Sequence, residues 1–512
     1  MPEFRFRWVY CQLQYLRGCL RQSIRYALDE LPDTLDETYD RALNEIGKQK
    51  WQYAHRLFQC VAAASRPLRV KELAEFLAFD FNTKPTPTLR EDWREEDPAH
   101  AVRSICSNLL VIVNVKGSSV IQFTHFSVKE YLTSERLAES KETISRFHVS
   151  MTQAHTIIAQ ACLGVLLHMD ESITDDDLER FPLARYAAKH WVGHALFQNV
   201  SPKIEDGMKR LFDPNNHHLS VWFWIRDPDP EIGRSRSKRP SQAKATPLHY
   251  AASYGLHEFA HFLIVERSQN VNARELRRGE TPLGIASREG HSTVARVLLE
   301  HGADTETRNN GEDSPLDWAS QRGHLEVVQV LLEHHADVNY SSNFQATALH
   351  WASWRGHVAI ARVLLANGAD ANAKKYNKQT PLYEANGDGV ARVLLEYCAD
   401  PNARDSSNQT PLHGVITKWA GAGAARLLLE NGVDANARDS NNQTPLHFAS
   451  ERGKLDCVRL LLQHGADIHA RDDEGRTPFQ VASAPSYRYS SGQYQDVMQL
   501  LLEHGAEDHR TR

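Results

Sequence analysis

The chain has 512 residues, 41% of them apolar and 24% charged, which is too long for one small core and too apolar for a disordered or fibrous chain. At roughly 150 residues per domain it has room for three or four units, or for one shorter unit plus an array. Its 59 basic and 65 acidic side chains leave a net charge of -6, so no general attraction draws it to nucleic acid or to anionic lipid.

The first thirty residues carry Glu3, Arg5, Arg7, Arg17, Arg21 and Arg25 without an apolar run before a small-residue cleavage site, so no secretory leader is expected. The seven cysteines (Cys11, Cys19, Cys60, Cys106, Cys162, Cys398, Cys457) are odd in number and scattered, with no CxxC pair. A disulfide framework and a structural zinc site are both disfavoured, and a reducing compartment fits. The longest apolar stretches, such as Leu109 to Val113, fall far below the ~20 residues that cross a bilayer. The expectation is a soluble intracellular protein with no membrane contact, placed in the cytoplasm with the nucleus open.

LPDTLDETYDRALNEI, Leu31 to Ile46, spaces Leu35, Tyr39, Leu43 and Ile46 for an amphipathic helix behind a Pro-Asp-Thr start. Further helices are expected around Trp51–Ala64 and Val70–Phe79, then a charged Pro/Thr loop from Asn82 to Pro98, then a helix from Ala99 to Asn108. LLVIVNVKGSSVIQFTH, Leu109 to His125, sets two β-branched runs around Lys116-Gly117-Ser118, a strand, turn and strand. Helices followed by such a hairpin suggest a winged helix, a fold that serves DNA readers and architectural domains alike.

Potential chemistry in this half is weak. His190 and His194 stand four apart, but Trp191 occupies the place where a zincin needs Glu. DESITDDDLE, Asp170 to Glu179, lacks the ligand alternation of a calcium loop and reads as an acidic helix start capped by Thr174. His125, Ser127 and Cys106 come without a strained elbow or a group to orient the base. No catalytic residue, metal or cofactor is assigned, and no small-molecule substrate is expected. RDPDPEIGRSRSKRPSQAK, Arg226 to Lys244, reads as a flexible linker whose basic run 234–239 could double as a nuclear signal.

From residue 246 one phrase returns: TPLHYA at 246, TPLGIA at 281, SPLDWA at 314, TALHWA at 347, TPLYEA at 380, TPLHGV at 410, TPLHFA at 444 and TPFQVA at 477. The steps are 35, 33, 33, 33, 30, 34 and 33 residues, the period of a solenoid with one supersecondary unit per copy. The Thr caps a first helix and the Pro after it suits the first turn. Gly290, Gly323 and Gly356 end that helix. Leucine pairs such as Leu298/Leu299, Leu331/Leu332 and Leu364/Leu365 bury a second one, and Gly302, Gly368, Gly432 and Gly465 stop it. Asp and Asn turn residues then lead into a projecting hairpin. In period, phrase order and anchors this half resembles the ankyrin repeat, in eight copies. That resemblance implies that His249, His350, His413 and His447 tie adjacent copies by hydrogen bonds. The fifth copy is three residues short, and the sixth carries Gly414, Gly421 and Gly423 near Trp419, so the array is expected to be weakest between Asn377 and Gly423.

A second resemblance rests on FRWVYCQLQYLRGC, LPDTLDETYDRAL, RPLRVKELAEFLAFD, QFTHFSVKEYLTS and FPLARYAAKHWVGHA, in that order. These phrases look like the region after the nucleotide module in fungal NACHT–ankyrin proteins of the NOD-like, STAND type. The likeness implies a tail of the nucleotide module over 1–30, a winged-helix domain over 31–140, a helical connector over 141–225, a linker over 226–243 and the repeats over 244–512. No GxxxxGK[ST] occurs, so the phosphate cradle is missing and nucleotide hydrolysis is not supported. A truncated gene model and a paralogue that kept only the arm both remain open.

The expected fold class is therefore mainly α, an ankyrin solenoid behind a winged-helix domain and a helical connector, and the expected role is recognition of a protein ligand on the concave ankyrin surface. Residues just before the first-helix turn are the candidates: Tyr254, Arg288, Glu289, Gln321, Arg322, Trp354, Arg355, Glu451 and Arg452. Trp354 and Arg355 are favoured as anchors because Trp and Arg concentrate interface energy. The rival reading of Trp354 is that it covers the neighbouring copy. A DNA-associated regulator using Lys71, Lys129 and the basic run is the weaker alternative, since Asp92, Glu95, Glu96 and Asp97 interrupt any basic stripe. A targeting subunit of an enzyme complex is the other.

Overall fold

In a computed structural model the chain divides into two compact units, Met1–Ala243 and Lys244–Arg512. The structure describes residues 34–83, 86–106, 109–140, 142–213, 216–226, 245–342, 344–418, 421–483 and 491–507. The expected tail helix over 1–30, nearly all of the linker with its basic run, and Trp419 lie outside the described residues.

In the first unit, helix α1 (Leu35–Asn44) opens on a capping box in which Thr34 accepts from the Glu37 amide and Glu37 reaches back to Thr34. α2 (Trp51–Ala63), strand β1 (Leu68–Arg69) and α3 (Val70–Glu75) follow. The helix expected to run from Val70 to Phe79 is broken. After Glu75 comes a 3₁₀ turn, Phe76–Ala78, and Phe79 begins β2 (Phe79–Asp80), which pairs antiparallel with β3 (Thr88–Leu89). Phe76, Leu77, Ala78 and Phe79 are all buried, so burial on every side, rather than one helical stripe, sets the backbone here.

α4 (Pro98–Cys106) leads to the hairpin β4 (Leu110–Val115) and β5 (Ser118–Phe123), in register with Ile112 opposite Ile121 and Val113 opposite Val120. Lys116 at φ 47 and Gly117 at φ 80 turn it, the two positive angles that match the right-handed twist of a two-residue hairpin. β5 also pairs with β1, giving the order β1-β5-β4. Helices α1 to α4 and a small sheet with a terminal hairpin make the winged helix that the sequence suggests. α5 (Phe126–Leu132) closes this domain.

Beyond it, α6 (Met151–His168) packs against α2 and α7 (Ala184–Ala195), with α8 (Glu205–Leu211) and α9 (His218–Arg226) alongside. Trp191, Phe212 and Trp222 meet edge to face at 5.3 to 6.3 Å, and the Trp222 indole donates to the Ala188 carbonyl at 2.8 Å. The acidic segment forms only a 3₁₀ turn, Asp177–Arg180, although Thr174 and Asp177 do bond each other as a cap. His194 is fully buried, with Nε2 bonded to the Tyr186 hydroxyl at 2.8 Å and Nδ1 to Nδ1 of His155 at 2.8 Å. It is a packing histidine, and burial holds its pKa down at about 3.

The second unit stacks helical pairs: α10 (Pro247–Tyr254) and α11 (His257–Val265), α12 (Pro282–Glu289) and α13 (Ser292–Glu300), α14 (Pro315–Arg322) and α15 (Leu325–Glu333), α16 (Ala348–Arg355) and α17 (Val358–Ala366). The fifth copy has a single turn in place of its first helix, then α18 (Asp388–Glu396). Thr380, expected to start a helix, caps only that turn. α19 (Pro411–Ile416) and α20 (Gly421–Glu430), α21 (Pro445–Glu451) and α22 (Leu455–Gln463), and α23 (Pro478–Ser483) and α24 (Ser491–Glu503) complete eight copies. First helices pack on first helices and second on second along the row. Gly290, Gly323 and Gly356 end their helices at φ 79 to 86, left-handed angles that a Cβ would strain.

A candidate protein-binding face on the repeat array

The repeated phrase builds its own frame before it offers any side chain to a partner. At Thr246, Thr347, Thr410 and Thr444 the backbone amide and the hydroxyl both meet Nδ1 of the histidine three residues on. Because an amide N–H faces Nδ1, that nitrogen is the acceptor and Nε2 carries the proton. Nε2 of His249, His350, His413 and His447 then donates to the carbonyls of Glu280, Gln379, Gln443 and Arg476 in the next copy, at 3.1 to 3.4 Å. The four imidazoles do stitch adjacent copies.

The ends of the first helices carry the candidate residues, and the structure sorts them. Tyr254 is half-buried at the end of α10. The Arg288 guanidinium is held by buried Glu280 at 3.1 Å and by Glu289 at 2.6 Å, while its carbonyl accepts from His324 at 3.0 Å. Arg288 and Glu289 are thus engaged within the array. Gln321 is half-buried and its carbonyl accepts from His357. Arg322 is exposed, with its guanidinium 5.9 Å from the Trp318 ring centre. Trp354 is 39% exposed, packs edge to face on Trp351 at 6.0 Å and has the Arg355 guanidinium 4.2 Å above its ring. Glu451 is exposed, and Arg452 is half-buried where α21 ends. Trp354 and Arg355 therefore form an open aromatic and cationic patch, and Arg322 stands open beside Trp318 one copy earlier.

Sequence reasoning missed the layer beneath them. The fifth letter of the phrase reads Tyr250, Ile285, Trp318, Trp351, Glu384, Gly414, Phe448 and Val481 down the eight copies. That letter is the most variable of the phrase, which was the available signal for a side chain that differs from copy to copy. Trp351 and Trp354, with Ala346, His350, Lys375 and Glu384, line a recess of about 120 Å³. The Glu384 carboxylate sits at its edge, 6% exposed, gripped by Lys375 at 2.6 Å and Lys418 at 2.5 Å. Burial alone would raise its pKa, but the two ammonium groups outweigh burial and hold it below the ordinary carboxylate value. At the hairpin tips Leu276, Phe344 and Tyr376 are 71 to 81% exposed, and the Tyr376 amide donates to the Phe344 carbonyl at 2.9 Å, joining two tips.

A larger cavity, about 500 Å³, lies elsewhere, between the end of α1 and α4. Its thiol, Cys106, is pushed well above the range of a useful nucleophile by burial. His125 and Ser127 do meet, at 2.6 Å, but as the cap of α5: the serine is 5% exposed and its hydroxyl also bonds the Tyr39 hydroxyl at 2.8 Å. Among the described residues no three His, Cys, Asp or Glu side chains gather to hold a metal, and no helix is long and apolar enough to cross a membrane.

A family model described as ankyrin repeats in three copies matches residues 215–309, 304–375 and 417–512, and a single ankyrin repeat model matches 377–406. The three-copy matches stop and resume around the short fifth copy and the glycine-rich sixth. The model of the winged helix domain of GPI inositol-deacylase matches 40–145. Among known proteins the chain is similar to azaphilone pigments biosynthesis cluster protein L of Monascus ruber, 30% identical over 293 residues, which are 54% of this chain and 61% of that one. It is also similar to Rabankyrin-5 of Mus musculus, 29% identical over 99 residues, which are 18% of this chain and 8% of that one. The chain thus spans less than two thirds of either relative's length. The human ASB11 ankyrin repeat domain matches at 25% identity and a TM-score of 0.34, covering 52% of this chain and all of that one.

Proposed function

Because the chain belongs to the ankyrin-repeat family, we propose that its array recognises a protein ligand and that the ligand lies along the concave surface made by the first helices and hairpin tips. One observation carries this reading. Trp354 and Arg355 stand open beside a recess walled by Trp351, and Arg322 stands open one copy earlier, while Arg288, at the position of Trp354 two copies earlier, is tied down by two carboxylates. Exposed Trp and Arg beside a recess are what an interface hot spot is made of.

The array then serves as a sensor or scaffold arm for the winged-helix and helical unit, as in a NOD-like signalling receptor acting in the cytoplasm. Its work is binding, with no catalytic step assigned. The winged helix plays an architectural part in this reading, since Asp92, Glu95 and Glu96 stand exposed between α3 and α4 and would repel a phosphate backbone.

The test is affinity capture of partners by the full chain, followed by calorimetry with the partner identified. Replacing Trp354 and Arg355 by Ala should cost at least ~1 kcal/mol of binding each, with circular dichroism unchanged. Unchanged affinity in both variants removes them from the site.

A further inference from the structure

The recess between the fourth and fifth copies has a chemical bias that narrows the ligand. Lys375 lines it, Lys418 grips the Glu384 carboxylate at its edge together with Lys375, Arg355 lies over its Trp354 wall, and Arg322 occupies the position of Arg355 one copy earlier. Among the described residues neither Arg322 nor Arg355 has an acidic partner within ion-pair distance. Each lies instead against an indole, Trp318 or Trp354. The indole nitrogens of Trp318 and Trp351 are closed off from water and donate to no acceptor, so this patch is rich in donors and poor in acceptors. A chain of net charge -6 has concentrated positive charge and aromatic surface at one place.

We propose that this patch, within the protein-recognition reading above on which the inference rests, takes an extended segment of a partner protein in which an aliphatic side chain is flanked by aspartate or glutamate. The aliphatic group enters the recess of about 120 Å³, which has room for a leucine but not for an indole. The flanking carboxylates meet Arg322 and Arg355, which keep their stacking on the indoles and gain the acceptors they lack. A nucleic acid fits less well. A phosphate backbone running along the row would meet Glu289 and Glu312 on one side of the patch and Asp405 and Asp473 on the hairpins of the other, whereas a short peptide is confined to the basic stretch.

The probe is a set of fluorescein-labelled synthetic peptides, each with a central leucine flanked by Asp and Glu, by Gln or by Lys, and an oligothymidine of matching length, titrated into the full chain by anisotropy. The acidic peptide should bind saturably, about tenfold tighter than the Gln peptide, and should weaken as salt rises and screens the arginines. The double reversal Arg322→Glu with Arg355→Glu should reduce acidic binding about tenfold and raise that of the Lys peptide. Arg355→Glu alone should do part of both. Arg296→Glu, on a second helix where Arg296 pairs with Glu333, should change neither. Binding of the Gln or Lys peptide equal to that of the acidic one, abolished by Trp354→Ala, overturns this inference and leaves protein recognition at this face standing. Tighter binding of the oligothymidine, or acidic binding indifferent to the double reversal, also overturns it. Absence of binding by every peptide overturns both this inference and the reading beneath it.

Discussion

Four imidazoles hold the register of the array, and each does so only while neutral. Its Nδ1 must stay open to a threonine amide while Nε2–H reaches the next copy. Burial, the largest cause, holds His350 and His413 down at about 4, against the raising effect of the carbonyl bonds, and lowers His249 and His447 as well. In the unfolded chain the same groups take up protons near their ordinary 6.5. Between those limits the unfolded state holds more protons, so this stability is intact above pH 6.5 and drains away as the pH falls toward 4. For His350 and His413 the loss is of the order of 3 kcal/mol each at full extent. The third copy runs the other way. Asp317 stands where the others have His, and its Oδ2 accepts from the Ser314 amide and hydroxyl while buried Oδ1 has no partner. Burial raises its pKa to about 7 from 3.8, so the folded state holds the extra proton and its contribution is lost as pH rises through 7. Asp317→His should bond the Ala346 carbonyl, the counterpart of Gln379, and raise stability at pH 8 by about 1 kcal/mol, with the gain shrinking at pH 5. Urea midpoints at the two pH values check this, and an unchanged or lower midpoint at pH 8 counts against the stitch as a portable device.

At the scale of the helical pair, the short fifth copy shows where sequence and structure part. Three missing residues and three glycines read as defects by helix propensity. In the structure the lost first helix is replaced by side-chain bonds. The Tyr383 hydroxyl donates to Gln409 Oε1 at 2.6 Å, taking over the histidine's role, and Glu384 ties the fifth copy to Lys418 of the sixth. Tyr383 then lies so close to α19 that a Cβ on Gly414 would come within 2.5 Å of its carbonyl oxygen and 2.7 Å of its ring. Propensity alone gives Gly414→Ala up to ~1 kcal/mol of stabilisation. Packing reverses the sign, and we expect a loss of 1–3 kcal/mol from the overfilled contact. A lowered melting temperature confirms the packing account, and a raised one restores propensity. The turn at 381–384 still has few helical bonds, so its amides should exchange faster than those of α12, and across 377–423 protection should fall below that of 281–366. Hydrogen exchange read by mass spectrometry decides, with equal protection in the two stretches ruling the expectation out.

Across the whole molecule, what was legible in the sequence follows how local each interaction is. The array declares itself because every copy repeats its caps, glycine stops and leucine pairs at one period, so each letter is read eight times. The hairpin 110–123 declares itself through two β-branched runs and a Lys-Gly turn. α6 does not, since Ala154, Ile158, Ala161, Cys162, Val165 and Leu166 bury it nearly all round, leaving no stripe to give the period of its partners. The aromatic layer at the phrase's fifth letter stayed hidden for the opposite reason: that letter changes from copy to copy more than any other of the phrase. The same contrast should govern how the two units come apart. In the array, contacts run between neighbours, so stability passes from copy to copy. In the first unit α6 touches α2, α7, α8 and α9 at once, and Trp191 is fully buried against Phe212 and Trp222. Leu298→Ala in the second copy and Trp191→Ala each remove a fully buried side chain, at a cost of about 2–5 and 3–5 kcal/mol respectively. The first should weaken amide protection in copies one to three and leave α22 and α24 as they were. The second should lower protection from Ala154 to Trp222 together, because no part of that core can open alone. Leu298→Ala spreading its effect evenly to α24 would show the array to be one cooperative block, and Trp191→Ala confined to α7 would show the first unit to be the divisible one.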